Sequence, residues 1–180
     1  MNAGVTPHTP PAHTEEHACR PALWPIVSLL VLSVAINYID RANLSIAAPL
    51  LKTEMALSPQ QLGLLLSSFF WSYAVFQIVS GWVVDRCNVN AVMITGFVLW
   101  SGATAATGWA TGFGMLFAFR LLLGIGESVA YPCYAKIFVE RLDERQRGVA
   151  NALIDAGSKF GPALGTLVGR AVRHAAQVPA

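Results

Sequence analysis

The class of fold is decided by residues 91–110, AVMITGFVLWSGATAATGWA. This stretch carries no Asp, Glu, Lys or Arg. A helix needs about 20 mostly apolar residues to cross the roughly 30 Å hydrocarbon core of a bilayer. Residues 91–110 therefore predict a transmembrane helix.

The composition of the whole chain supports a lipid environment. The chain has 180 residues, of which 54% are hydrophobic and 12% charged, and the mean hydropathy is +0.52. That charged fraction is about half the usual share of a soluble globular protein. A soluble fold of this size could not bury so much apolar surface and keep so few charges for solubility.

Four further apolar runs flank the central one. They cover residues 24–49, 61–84, 113–139 and 148–169. Ser58 and Pro59 precede the second run and are typical of a helix N-cap followed by a first-turn proline. The links between runs are short, which favours antiparallel neighbours in a packed bundle. We expect an all-α membrane protein with five transmembrane helices.

The first 22 residues differ from the rest. They hold four prolines and three of the four histidines, and this composition predicts a disordered polar tail. His8, His13 and His17 lack a helix to align them, and the three cysteines share no metal-ligand spacing. We therefore predict no metal, no cofactor and no disulfide framework. A net charge of +2 without a basic cluster gives no support for nucleic-acid binding.

The charges of the loops predict the orientation in the membrane. An N-terminus in the cytoplasm places five arginines on the cytoplasmic side and only Lys52 on the other side of the first four helices. These arginines are Arg20, Arg86, Arg141, Arg145 and Arg147. The positive-inside rule thus favours a cytoplasmic N-terminal tail.

Charged residues inside the predicted spans include Asp40, Arg41, Arg120, Glu127, Asp155 and Lys159. A charge at mid-bilayer costs about 2.5–3.5 kcal/mol on insertion scales, so such residues are functional candidates by default. Asp155 and Lys159 are spaced i, i+4 and are expected to neutralise each other.

A polar stripe marks the fourth span. Arg120, Gly124, Glu127 and Tyr131 follow the spacing i, i+4, i+7, i+11 and share one helix face. A carboxylate at this depth can exchange a proton, as a coupling site requires. The alternative is a static Arg–Glu pair that holds helices together.

Other polar groups lie in the first two spans. Asp40 and Arg41 are adjacent and point about 100° apart, so one is expected to face a cavity and the other a neighbouring helix. Partners on other helices that merely neutralise them are the alternative. Tyr73 and Gln77, spaced i, i+4, can bind a polar solute or bridge two helices.

A family resemblance emerges between the second and third spans. Gly81-Trp82-Val83-Val84-Asp85-Arg86 resembles the start of the signature loop of the major facilitator superfamily. Residues 87–90 replace the glycine and basic residue that usually follow. The resemblance implies that Gly81, Asp85 and Arg86 form a conformational loop that holds helix ends at the cytoplasmic face. Residues 140–148 are similar to the family's loop between helices four and five.

Three segments, residues 37–45, 69–74 and 120–132, are similar to the anion:cation symporter family. Within that family they resemble the bacterial sugar-acid/proton symporters, which carry hexuronates, aldonates or aldarates. The resemblance covers residues 24–169. It implies the N-terminal half of a major facilitator fold, in the inner membrane of a bacterium, and no enzymatic activity.

The resemblance also implies roles for individual residues. Asp40 and Glu127 would be the protonatable carboxylates, and Arg120 would tune Glu127. Arg41 would bind the substrate carboxylate, for which a guanidinium is well suited. Three more residues, Tyr38, Tyr73 and Gln77, would contact substrate hydroxyls. The expected partners are a small organic anion, a proton and the lipid bilayer.

The length of the chain departs from the family. Members have two six-helix halves around a midplane site, so we expect a truncated transporter that lacks its C-terminal half. Residues 170–180 are expected to form an aberrant tail, because Arg170, Arg173 and His174 fall on the side disfavoured for positive charge.

Two other functions remain open. The Gly161-Pro162 pair is similar to the glycine–proline motif of drug/proton antiporters. A non-transporting membrane protein that assembles with a partner is the other alternative. An enzyme is disfavoured, because the only hydroxyl beside an acid in the fourth span, Ser128, has no histidine within the spans to form a triad.

Overall fold

The computed structural model of the chain describes residues 24–176, which fold into six α-helices. The helices are α1 (Trp24–Glu54), α2 (Pro59–Arg86), α3 (Val89–Thr107), α4 (Phe113–Ser128), α5 (Ala130–Arg141) and α6 (Glu144–Ala176). Within this part of the chain there is no strand. The predicted all-α fold is confirmed.

Four segments are long and apolar enough to cross a membrane. They are Trp24–Glu54, Pro59–Arg86, Val89–Thr107 and Phe113–Arg141, and each contains one of the predicted spans or most of it. The fifth predicted span, residues 148–169, lies within α6. Among the described residues, α6 is not one of the helices apolar enough to cross a membrane. Charged residues, including Asp155 and Lys159, lower the hydropathy of α6.

The second helix begins as its sequence predicts. The Ser58 hydroxyl accepts a hydrogen bond from the Gln61 backbone N–H, and the Gln61 side chain accepts one from the Ser58 N–H. Pro59 occupies the first turn, where its missing N–H leaves no hydrogen bond unmade. This capping box fixes where the chain re-enters the bundle after the short link from α1.

The predicted fourth span, residues 113–139, is interrupted in the structure. Regular helix stops at Ser128 and resumes at Ala130, with Val129 between α4 and α5. Pro132 explains the break, because it has no N–H to donate to the residue 128 carbonyl. The Ser128 hydroxyl, at the end of α4, donates a hydrogen bond to the Ile125 carbonyl oxygen at 2.7 Å. The interruption falls directly after Glu127.

The last helix is longer than the predicted run 148–169. It begins at Glu144, so Arg147 lies in its first turn and not in a link. The Arg147 guanidinium donates to the carbonyl oxygens of Leu142 and Val139 at 3.0 and 2.9 Å, and this closes the end of α5. The helix continues past Gly169 to Ala176.

The predicted tails lie largely beyond the described part. The proposed disordered residues 1–22 are outside it, and so are residues 177–180 of the predicted aberrant tail. The backbone of residues 170–176 belongs to α6. The side chains of Arg170, Arg173 and His174 are outside the described residues.

Glycines bring α6 against α1. Gly157, Gly161, Gly165 and Gly169 are spaced four apart and face Val31, Ala35, Ile39 and Ile46 in turn. A methyl group added to Gly161 would lie 2.5 Å from the Ala35 carbonyl oxygen. Small residues allow this approach of two backbones, which is how helices associate in lipid. The close packing accounts for the glycine of the Gly161-Pro162 pair.

Glycines also place α4 against α2 and α3. Gly124 faces α2, where an added methyl group would lie 2.5 Å from the Phe69 carbonyl oxygen. Gly126 faces α3, where an added methyl group would lie 2.8 Å from the Trp100 backbone nitrogen. A buried hydroxyl pair, Ser80 with Ser128 at 2.8 Å, joins α2 and α4. This packing holds Glu127 rigidly in the centre of the bundle.

Candidate functional site

The candidate site centres on an ion pair between α1 and α4. The Arg41 Nε donates to Glu127 Oε2 at 2.8 Å. The Glu127 side chain is fully buried, whereas that of Arg41 retains 16% exposure. The close helix contacts of the bundle join α1 to α6 and α4 to α2 and α3. Long polar side chains therefore span the space between α1 and α4.

Aromatic rings surround the Arg41 guanidinium. Its Cζ lies 4.8 Å from the ring centroids of Tyr38 and Phe69, and 4.6 Å from that of Tyr73. Each ring can stabilise a cation through its face, by about 0.5–2 kcal/mol. The rings thus position a guanidinium that bonds Glu127 through one edge. Of the predicted substrate residues, the structure brings Arg41, Tyr38 and Tyr73 together.

Two hydroxyl pairs continue the contact between α1 and the fourth span. Ser33 and Tyr134 hydroxyls lie 2.6 Å apart, and Tyr38 and Tyr131 hydroxyls 3.3 Å apart. With the Arg41–Glu127 pair they form a ladder of polar bridges along one side of α1.

Asp40 faces a different helix from Arg41, as their adjacency predicts. The Trp100 indole Nε1–H of α3 donates to Asp40 Oδ2 at 2.7 Å. Asp40 also lines a cavity of about 360 Å³ between α1, α3 and α4, which Arg120 lines from α4. The structure therefore separates the two predicted protonatable carboxylates into two environments, one closed by Arg41 and one open to this cavity.

Arg120 does not pair with Glu127 in the described residues. Its side chain is buried and forms no ion pair within 4 Å there. Arg120 and Glu127 are two turns apart on one helix, so the partner of Glu127 comes from α1 instead. Gln77, one turn beyond Tyr73, is partly exposed and makes no hydrogen bond to the described residues.

The backbone at the end of α2 is bonded by a residue from outside the predicted conformational loop. The Lys136 Nζ of α5 donates to the Val84 carbonyl oxygen at 2.6 Å and closes the end of α2. The exposed Arg86 guanidinium instead lies over the Trp82 ring at 4.1 Å. An added methyl group on Gly81 would meet no atom within 4 Å.

On α6, the predicted mutual neutralisation of Asp155 and Lys159 is confirmed. Lys159 Nζ and Asp155 Oδ1 are 2.6 Å apart, and both side chains are exposed by about 70%. This pair lies apart from the ion pair of the candidate site.

Sequence reasoning missed four residues. Three of them, Phe69, Trp100 and Lys136, make contacts described above. The fourth, Asn37, is buried with neither end of its amide bonded within the described residues. A tryptophan in the middle of a span carries an N–H that requires an acceptor, and this signal could have identified Trp100. Asn37 carries two polar groups inside an apolar run and gave a similar signal. Phe69 looks like any lipid-facing aromatic residue, and nothing in the sequence distinguishes it.

The chain is similar in sequence to transporters of known families. The chain is 37% identical over 139 residues to a probable sulfoacetate transporter of Cupriavidus necator, covering 77% of this chain and 32% of that protein. It is 34% identical over 146 residues to a hexuronate transporter of Bacillus subtilis, covering 81% and 35%. It thus spans about a third of the length of these relatives.

A solved structure matches the arrangement of the helices. It is a bacterial homologue of the human lysosomal transporter Spinster, in an inward-facing and unoccupied conformation, with a TM-score of 0.78 and 28% identity. The match covers 84% of this chain and 32% of that one. Residues 30–175 also match the Major Facilitator Superfamily. The chain belongs to the Major Facilitator Superfamily.

Proposed function

We propose that this chain supplies the N-terminal helices of a proton-coupled symporter for small organic anions, of the anion:cation symporter family. The substrate class is a sugar acid such as a hexuronate, aldonate or aldarate. The protein would reside in the bacterial inner membrane with its N-terminus in the cytoplasm, and the remaining wall of the transport pathway would come from a C-terminal half.

The observation that carries this proposal is the ion pair between Arg41 and the fully buried Glu127. Arg41 keeps 16% of its side chain exposed, so an anion can contact it directly, whereas the Glu127 side chain is fully buried. An unpaired charge at this depth is costly. Arg41 therefore needs an anionic partner at all times, either Glu127 or a bound substrate carboxylate.

Competition between Glu127 and the substrate carboxylate for Arg41 would couple proton binding to anion binding. When a proton from solution binds Glu127, the carboxyl becomes neutral and no longer neutralises Arg41. The guanidinium is then free to form paired hydrogen bonds to an incoming carboxylate, a geometry for which it is preorganised. Release of the anion leaves Arg41 to attract Glu127 again, and the proton departs.

The aromatic rings and the names of relatives favour an oxygen-rich anion. The rings of Tyr38 and Tyr73 lie against Arg41, and the Tyr38 hydroxyl lies 3.3 Å from that of Tyr131. Gln77 lies one turn further along α2, and its amide makes no hydrogen bond within the described residues. The relatives carry names of sulfoacetate and hexuronate transporters, and both compounds are small acids. Hydroxyl and amide groups would select among acids by hydrogen bonds that a wrong substrate cannot make.

Asp40 and Arg120 form the second part of the proposal. Asp40 would be the other protonatable carboxylate, because it lines the 360 Å³ cavity that Arg120 also faces. Arg120 would tune both carboxylates through its charge and not by a direct bond. Gly81, Asp85 and Arg86 would act as the conformational loop, with Lys136 as the group that ties α2 to α5.

Because the chain covers a third of its relatives, the transport test uses a graft. Residues 24–176 replace the corresponding helices of the Bacillus subtilis hexuronate transporter, and uptake of labelled hexuronate is measured in membrane vesicles with an inward proton gradient. We call this chimera the grafted transporter. Arg41→Lys keeps the charge but loses the fork of donors.

Arg41→Lys should lower uptake by about 10- to 100-fold, the equivalent of about 1.5–3 kcal/mol for charged hydrogen bonds. Lys159→Arg is the matched control, since its side chain is exposed and paired with Asp155. Wild-type uptake in the Arg41→Lys variant, at equal amounts of protein in the membrane, would refute the proposed role of Arg41.

A further inference from the structure

Four buried side-chain polar atoms have no hydrogen-bond partner within residues 24–176. They are Asn37 Nδ2, Asn37 Oδ1, Arg41 Nη2 and Glu127 Oε1. Two of the three residues form the central ion pair, and the third has no role in the proposed function. The unpaired atoms therefore concentrate at one place between α1 and α4.

The register of α1 places Asn37 between two bridges. Ser33, Asn37 and Arg41 are spaced four apart, so they follow one another along the same helix face. On either side of Asn37, Ser33 bonds Tyr134 and Arg41 bonds Glu127. Asn37 thus occupies the position between the two contacts and faces the region where α4 gives way to α5.

The burial of Asn37 has a cost in this arrangement. The residue is 2% exposed, and neither end of its amide is bonded. A buried polar group without a partner costs about 1–3 kcal/mol. A leucine would fill a similar volume without that penalty. The amide is accounted for if it gains a partner in another state of the site.

We propose that Asn37 is the hydrogen-bond partner of the protonated Glu127 carboxyl, taking the place that Arg41 leaves when it turns to the anion. This inference rests on the proposed function, since it requires Glu127 to take up a proton. Asn37 would be a positioning residue that acts through Glu127 and does not touch the anion.

Donor and acceptor chemistry supports this assignment. A neutral carboxyl has one O–H donor and a carbonyl acceptor, and a primary amide offers one acceptor and two donors. The two groups can form two reciprocal hydrogen bonds, from Glu127 O–H to Asn37 Oδ1 and from Asn37 Nδ2–H to Glu127 C=O. An ionised carboxylate can only accept, so it would leave Asn37 Oδ1 unpaired. Both Oδ1 and Nδ2 of Asn37 can therefore bond Glu127 only when Glu127 is protonated.

Other ionisable groups on the surrounding helices interact electrostatically with Glu127. They are Arg41 and Asp40 on α1, Tyr73 on α2, Arg120 on α4 itself, and Tyr134 on α5. None is a primary amide, and Arg41 and Arg120 are donors only. Asn37 differs from them because it offers both a donor and an acceptor without charge.

Infrared difference spectroscopy tests the proposal on the chain as it exists, purified in lipid nanodiscs. A pH titration reveals the C=O stretch of protonated carboxyls, and Glu127→Gln identifies the band of Glu127. In Asn37→Leu that band should move to higher wavenumber, because the acid has lost its hydrogen bonds. Asn37→Gln, which keeps the amide, should restore the band at least partly. Asn90→Leu, the same change at an exposed residue of α3, should leave it in place.

A second measurement does not depend on the leucine variant folding. With side-chain carbonyl-labelled asparagine in the unaltered sequence, an asparagine C=O band should shift together with the Glu127 band and stay constant in Glu127→Gln. An unchanged Glu127 band in folded Asn37→Leu would overturn the role of Asn37 but not the proposed function. Labelled asparagine bands that do not shift during the pH titration would have the same consequence. If no carboxyl band is lost in Glu127→Gln, Glu127 takes up no proton, and the proposed function fails with it.

Discussion

Arg41 and Glu127, 86 positions apart in the chain, meet through a 2.8 Å hydrogen bond between α1 and α4. The carboxylate is completely buried, and the guanidinium is enclosed by three aromatic rings. Here Arg41 Nη2 and Glu127 Oε1 remain unbonded within the described residues, which leaves capacity for other partners.

The hydrogen bond from Trp100 to Asp40 should contribute to stability. Trp100→Phe keeps the aromatic packing but removes the Nε1–H that lies 2.7 Å from Asp40 Oδ2. Bonds to charged groups contribute about 1.5–3 kcal/mol, so the free energy of unfolding should fall by that amount. Denaturant unfolding in detergent micelles measures it.

The control for this prediction is Trp109→Phe, because the Trp109 side chain is 75% exposed. Its unfolding free energy should stay within about 0.5 kcal/mol of the unaltered chain. Equal losses in the two variants would show that the indole ring itself, and not the bond to Asp40, matters at position 100.

The glycines of α6 should be sensitive to added volume in a position-dependent way. Gly161→Ala places a methyl group 2.5 Å from the Ala35 carbonyl oxygen and forces α1 and α6 apart. Overpacking of this kind costs about 1–3 kcal/mol. Thermal unfolding followed by circular dichroism should show a lower midpoint for this variant.

Gly148→Ala is its counterpart on the same helix. No atom lies within 4 Å of the added methyl group, and alanine stabilises a helix interior by up to about 1 kcal/mol relative to glycine. Its midpoint should stay or rise. A decrease in Gly148→Ala as large as that in Gly161→Ala would mean that the close approach of α1 and α6 is not responsible.

Cys87 offers a test of the proposed orientation. It is exposed directly after α2, whereas Cys133 is buried. With Cys19→Ser in place, an impermeant maleimide should label inside-out vesicles and leave right-side-out vesicles unlabelled. Labelling from the periplasmic side only would reverse the proposed topology, which rests on the loop arginines alone.

Much of the fold follows from local sequence. Runs of apolar residues identify the spans, the Ser58-Pro59 pair marks the start of α2, and i, i+4 spacing pairs Asp155 with Lys159. Each of these features depends on residues within a turn or two of one another. The ends of the helices were harder to predict, because charged residues such as Glu144 and Arg147 are typical of a link but belong to α6 here.

The site depends on contacts between distant residues, and these could be predicted only in part. The residues Arg41, Glu127 and Asp40 stand out because charges are rare in spans, but their partners do not. The spacing of Arg120 and Glu127 on one helix suggested that they would interact. In the structure the glycines of α4 pack against α2 and α3, and the hydrogen bond to Glu127 comes from Arg41 on α1. The break at Val129 likewise arises from Pro132 within a run that looks continuous.

Two activities of the grafted transporter carrying Glu127→Gln separate anion binding from proton coupling. A glutamine mimics the permanently protonated carboxyl, so Arg41 stays free to bind the anion. Exchange of labelled for unlabelled hexuronate should persist, whereas accumulation driven by an inward proton gradient should be lost. Gradient-driven accumulation at the wild-type level, or equal loss of exchange and accumulation in a correctly inserted protein, would contradict the proposal that Glu127 couples the proton to the anion.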